Sequence, residues 1–237
     1  MTASAQYRLS RAFGNPATSV DLFHGELDLP LRLADRVTAR YSSRVAATTW
    51  NDDAPTGVLG LGWSLELDRI VLADGAYFHG DVRLEPSGTR DGDLLFQSAR
   101  EPLWEIRYGT ATQSWRITRD DGSQARYRPT MYRTSWGKPR RYPVAWHLSE
   151  LRAGGETHTW TYESDEVEEP PGLNRTAGVY LTQVAGPHGH ARFQYVVTQP
   201  FESETRALSR LDVRSGAEAY TLRFLYELRD VSGHGPR

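Results

Sequence analysis

Trp115-Arg116-Ile117-Thr118-Arg119, then Asp120-Asp121-Gly122-Ser123, then Gln124-Ala125-Arg126-Tyr127-Arg128: apolar and polar side chains alternate on both sides of an Asp-Gly pair. A period of two sends successive side chains to opposite faces of a strand. Asp-Gly between two such runs is the strongest short-range signal for a β-hairpin. The same alternation runs through Leu27–Leu33 and Trp104–Tyr108, whereas helical periodicity is almost absent. Short alternating runs bounded by Gly, Pro, Asn and Asp predict an all-β protein.

The second half of the chain repeats this unit. Leu148-Ser149-Glu150-Leu151 leads through Gly154-Gly155 to a run ending at Tyr162. Leu181-Thr182-Gln183-Val184 leads through Gly186–His190 to Tyr195, and Leu208-Ser209-Arg210-Leu211 leads through Ser215-Gly216 to Tyr226. One hairpin is marginal alone, so the copies are expected to pair in series or to pack on another layer. The architecture expected is all-β, with antiparallel hairpin repeats forming a curved sheet or a partly closed barrel or shell segment. A single module over 21–231 is predicted, with a possible subdivision near 129–145 and loose tails at 1–20 and 232–237. Two stretches interrupt the alternation: basic, aromatic Pro129–Pro143 reads as an irregular loop, and acidic Ser164–Gly178 as a long loop around Pro170-Pro171-Gly172.

Composition bounds the function. The 237 residues include no cysteine, which excludes a disulfide scaffold, a cysteine zinc site and a thiol nucleophile. The net charge of −2 gives no whole-chain field for nucleic acid, and Lys138 is the only lysine among 28 basic residues. No apolar run approaches the roughly twenty residues of a membrane helix. Met1–Arg8 lacks the apolar core of an ordinary secretory signal. The expectation is a cytoplasmic protein, or one exported by a specialised system.

A third signal lies near the N-terminus. Arg40-Tyr41-Ser42-Ser43-Arg44 is followed, after a polar stretch, by Thr56-Gly57-Val58-Leu59-Gly60-Leu61-Gly62-Trp63-Ser64-Leu65-Glu66-Leu67. Gly60 and Gly62 permit a bend with positive φ or close backbone approach, and Trp63 can fill the space beneath it, with Leu65 and Leu67 continuing its face. Gly57, Gly60, Gly62 and Trp63 therefore form a structural motif. This segment resembles the N-terminal region of the Salmonella virulence protein B (SpvB) family, the B components of insecticidal toxin complexes, and related Rhs (YD-repeat) proteins. Trp146–Glu163 and Leu208–Tyr226 resemble the repeat units of the same group. The resemblance implies a shell or scaffold that encapsulates or delivers a toxin, with further β-strands of a longer chain or a toxin-complex protein as partners. Family members are usually much longer, and no ADP-ribosyltransferase pattern is present.

The candidate chemistry is sparse. His188 and His190 have a spacing that metals accept, with His79 and His24 as remote partners, but they fall at a hairpin turn, which is the stronger reading. Asp91-Gly92-Asp93 with Asp81 has the composition of a calcium loop but lacks the Glu that closes one, so a solvated turn is favoured. Ser64 lacks the Gly-x-Ser-x-Gly context of a nucleophile. Glu150, Glu156, Glu163, Glu166, Glu168, Glu169, Asp52 and Asp53 could supply a glycosidase pair, yet by pattern most lie in exposed loops. Trp136, beside Lys138, Arg140 and Arg141, is the best candidate for an exposed ligand or partner contact. No cofactor is expected, and a non-catalytic role outweighs an enzymatic one. The alternative is a stand-alone β-barrel enzyme, or a small-molecule or carbohydrate binder, recruited from the same scaffold. Self-association and an open sheet edge would favour the shell reading; a closed barrel with a polar-lined pocket would favour the alternative.

Overall fold

The computed structural model describes residues 19–21, 26–45, 57–60, 62–135, 138–169, 172–197 and 206–226. Nearly all of them lie in antiparallel strands. The chain begins with a four-stranded sheet of β1 (Ser19–Asp21), β2 (Glu26–Ala34), β3 (Val37–Ser42) and β4 (Trp63–Leu65), in that order. Eight strands then meander: β5 (Arg69–Ala73), β6 (Ala76–His79), β7 (Val82–Arg90), β8 (Asp93–Ser98), β9 (Glu105–Gly109), β10 (Ser114–Thr118), β11 (Gln124–Ser135) and β12 (Lys138–Ala153). Because β12 pairs with both β11 and β5, the meander closes into an eight-stranded antiparallel barrel. Its seam is Ala145↔Val71, Trp146↔Ile70 and His147↔Arg69.

An eight-stranded barrel is only wide enough for side chains to fill it. Trp115, 1% exposed, sits at its centre. Its ring centroid lies 4.8 Å from Phe96, 4.9 Å from Tyr77 and Tyr108, and 6.0 Å from Trp146. Ile70, Leu84, Ile106 and Ile117 complete a dry core. The Asp-Gly hairpin forms as the alternation predicts, with Trp115↔Tyr127 and Ile117↔Ala125 paired and both members of each pair turned inward.

Past the barrel, β13 (Glu156–Glu169), β14 (Leu173–Gly186), β15 (Gly189–Val197), β16 (Arg206–Ser215) and β17 (Glu218–Arg223) continue in series as an open leaf. On the edge of β12 away from β11, β5 occupies Ala145–His147 and β13 takes over at Glu150–Ala153. One strand thus belongs to both bodies. The leaf covers its inner face with the small sheet: Leu181, Phe193, Leu208 and Leu211 pack against Leu31, Leu33 and Val37. The hairpin copies therefore both pair in series and pack on a second layer.

The repeat pattern has a physical reading in the last two copies. The Tyr195 hydroxyl donates to the Leu181 carbonyl at 2.7 Å, and the Tyr226 hydroxyl to the Leu208 carbonyl at 2.6 Å. In each case the closing tyrosine of a copy pins the backbone of the leucine that opens it. In the first copy, Tyr162 instead stacks on His147 at 5.0 Å.

Two expectations are corrected. Pro129–Pro143 is no irregular loop: it forms the outer half of the β11–β12 hairpin, with residues 136 and 137 outside the described residues. Pro129 and Pro143 sit beside register shifts at Pro129/Met131 and Met131/Tyr132, where a missing N–H costs little. Ser164–Gly178 is likewise a paired arm, running from Ser164↔Val179 to Glu169↔Leu173, with residues 170 and 171 outside the described residues. Its carboxylates find cations on other strands, with Asp165 bonded by Arg206 of β16 and Glu166 by Arg141 of β12, and Arg206 also reaches Glu163 just before the arm. The two arms meet where the Tyr132 N–H donates to Thr176 Oγ1 at 3.0 Å. Ser19 and Val20 pair with Asp28 and Leu27, so strand pairing begins inside the 1–20 stretch read as a tail. The remainder of that stretch and the 232–237 tail lie outside the described residues.

Candidate functional site

The glycine–tryptophan segment is a clasp between layers. Gly57 and Gly60 form an isolated antiparallel bridge, and a Cβ on Gly57 would lie 2.7 Å from the Trp63 carbonyl oxygen. Gly60 and Gly62 have φ of 92° and 77°, which a side chain rarely tolerates. The bend they allow turns Trp63 onto Tyr41, with centroids 5.4 Å apart, and presses Leu59, Trp63, Leu65 and Leu67 against the sandwich core. It also aims the Val58 carbonyl outward to accept from the Leu208 N–H at 2.8 Å and the Tyr226 hydroxyl at 3.1 Å. The segment thereby ties the small sheet to β16 and to the residues after β17.

A polar cluster with an adjoining cavity lies at one mouth of the barrel. Asp68, just before β5, places Oδ1 2.7 Å from His79 Nε2 and accepts from the Tyr127 hydroxyl on Oδ2 at 3.0 Å. The Arg119 guanidinium stands 3.9 Å from Asp68 and 5.2 Å from the centre of the Trp104 ring. Burial, then the charge of Asp68, pushes the Tyr127 phenol well above its usual pKa, so it remains a donor. A cavity of about 480 Å³ opens beside this cluster, with Asp68, His79, Ser98, Glu101 and Trp104 in its wall. At its rim Asp81 and Arg100 form a two-pronged pair at 2.9 and 3.0 Å, which holds the Asp81 carboxyl below its usual range.

The other sequence candidates fall elsewhere. His188 Nε2 lies 2.8 Å from Glu156 Oε1, and this bond lowers the Glu156 pKa. His158 approaches the same carboxylate at 3.5 Å, and His190 borders a neighbouring hollow of about 350 Å³. Among the described residues no three His, Cys, Asp or Glu side chains are grouped to hold a metal. His79 is at the barrel mouth with Asp68, while His24 lies outside the described residues. Asp91 and Gly92, with φ of 54° and 84°, make a two-residue hairpin turn. Arg141 is engaged by Glu166 and lies 4.2 Å above the Tyr132 ring; Arg140 is exposed. Trp136, Asp52 and Asp53 are outside the described residues.

Sequence reading missed Asp68, Arg119 and Tyr127 as a group. A signal was present: an Asp74-Gly75 turn sets Ile70 opposite His79, which places Asp68 one diagonal step from His79. Tyr127 arrives from 59 residues away, through barrel closure.

The leaf ends on an open side. Among the described residues no strand lies beyond β17. Ser215↔Glu218 flanks a two-residue turn, so Tyr220 and Leu222 bond β16, while the N–H and C=O of Ala219, Thr221 and Arg223 face outward. The middle of this edge, Ala219-Tyr220-Thr221-Leu222, carries no charge to blunt it. Val197 at 80% and Leu225 at 93% exposure lie at the ends of neighbouring segments. Among the described residues no helix is long and apolar enough to cross a membrane.

No family model and no curated protein matches the sequence. In structure the chain is similar to the N-terminal domain of effector protein SpvB from Salmonella typhimurium strain LT2, with a TM-score of 0.51 and 13% identity, over 81% of this chain and 94% of that chain. At that identity the likeness is one of fold: this is an SpvB-like all-β fold.

Proposed function

We propose that the chain is a non-catalytic structural module, a segment of a toxin-encapsulating or toxin-delivering shell of the toxin-complex or Rhs kind. It works by accepting further β-strands from a longer chain or a partner protein, in the bacterial cytoplasm or after export by a specialised system. The observation that carries this reading is the asymmetry of the strand series: one end closes on itself as a barrel, and the other, among the described residues, stops at an edge whose middle carries no charge and whose hydrogen-bonding groups turn outward. The SpvB-like fold supports it. Unpaired edges invite strand addition.

Light scattering tests the proposal. The chain should show a mass above 26.7 kDa that rises with concentration. Ala219→Pro removes one outward N–H and no β16–β17 bond, so it should return the mass to the monomer while costing less than about 1 kcal/mol in stability. A wild-type chain that stays monomeric at every concentration, or association untouched by the proline, would count against edge pairing.

A further inference from the structure

We infer that the barrel mouth is a binding site for a small neutral, hydroxyl-bearing ring compound, a mono- or disaccharide, held between His79, Glu101 and Trp104. The cavity of about 480 Å³ falls within the range of roughly 300–1,000 Å³ typical of small-molecule sites. Its polar groups are only partly used by the protein. His79 Nε2 lies 2.7 Å from Asp68 Oδ1 and 3.2 Å from the Tyr127 hydroxyl. Its other ring nitrogen, Nδ1, has no protein partner among the described residues and is left for a ligand. Among the described residues the Glu101 carboxylate accepts no hydrogen bond, though its charge acts on Arg100, and the Arg69 guanidinium at the rim has no ion-pair partner. The wall therefore offers both acceptors and donors, as a polyol requires.

The positioning shell is stiff. Asp68 is fixed by the Tyr127 hydroxyl at 3.0 Å, and Trp104 by the Arg119 guanidinium 5.2 Å from its ring centre. Charge selects against an ionic ligand. Asp68, Asp81 and Glu101 are matched by Arg69, Arg100 and Arg119 around the same mouth, so the field largely cancels. The apolar part of the wall, Trp104 with neighbouring aliphatics, suits the C–H face of a sugar ring. This site is separate from the β17 edge and does not depend on the shell reading.

Ligand-observed NMR with D-glucose, D-galactose, N-acetylglucosamine and maltose, each added to the full chain, tests the inference. At least one sugar should give saturation transfer, and Glu101→Ala and Trp104→Ala should each weaken that binding by about tenfold or more. Glu101 is on a loop and its change should leave the thermal midpoint unmoved, so loss of binding there cannot be blamed on unfolding. Ala219→Pro should leave sugar binding intact, which separates failure here from failure of the edge-pairing proposal. Saturation transfer from none of the four sugars, or binding undiminished in Glu101→Ala, would overturn the assignment.

Discussion

The barrel and the leaf are built from the same hairpin grammar and end differently. Leu148 and Leu151 of the first repeat copy lie in the barrel core, whereas Leu181, Val184, Leu208 and Leu211 of the next two copies lie in the sandwich core. The barrel covers its apolar face by curling, with Trp115 and Trp146 filling the centre. The leaf stays open, and β1–β4 cover its inner face as a second layer. Closure removes sheet edges and covering a face does not, so the leaf keeps an edge at β17 that the barrel lacks.

The largest expected effect breaks the barrel side of this comparison. Trp115→Ala should cost about 3–5 kcal/mol, read from chemical or thermal unfolding. Leu211→Ala, 0% exposed in the leaf, should cost about 2–5 kcal/mol, with amide protection lost in the leaf before the barrel. Equal loss of protection in both bodies from either change would show one cooperative unit and dissolve the distinction.

The seam between the bodies gives a pH dependence. His147, 2% exposed, bonds Thr130 Oγ1 through Nδ1 at 2.6 Å and stacks on Tyr162 of the leaf. Burial, then the nearby Arg69, lowers its pKa from 6.5 to about 4. The unfolded chain therefore takes up this proton first. The stability tied to neutral His147 is complete above about pH 6.5 and declines as pH falls toward about 4, by an amount on the order of 3 kcal/mol. His147→Gln should flatten this slope in denaturant titrations between those pH values; an unchanged slope would remove His147 as its source.

The clasp sharpens the leaf side. Gly62→Val forces a branched side chain to a φ of 77° and should cost roughly 1–3 kcal/mol. Its thermal midpoint should fall, and an unchanged midpoint would mean the bend is not required to dock the small sheet.

What was legible in the sequence was local. The Asp120–Ser123 turn, the Gly154-Gly155 turn and the alternation of Trp115 with Ile117 are each written in adjacent residues. The arms were not, because prolines and runs of glutamate argue against strands unless register shifts and partners such as Arg141 and Arg206 are known. Closure depends on β5 reaching β12 across the whole meander. Tyr127 joins the local Asp68–His79 pair only because that closure brings it there.

Native-state amide exchange on the monomeric chain tests the contrast between closed barrel and open leaf most directly. Seam amides of Ile70, Trp146 and Leu148 should be as protected as those of the barrel interior. Ala219, Thr221 and Arg223 should exchange rapidly while Tyr220 and Leu222 are slow, the alternation of a bare edge. Protection of Ala219 and Thr221 in the monomer, or seam amides exchanging as fast as an edge, would contradict the account.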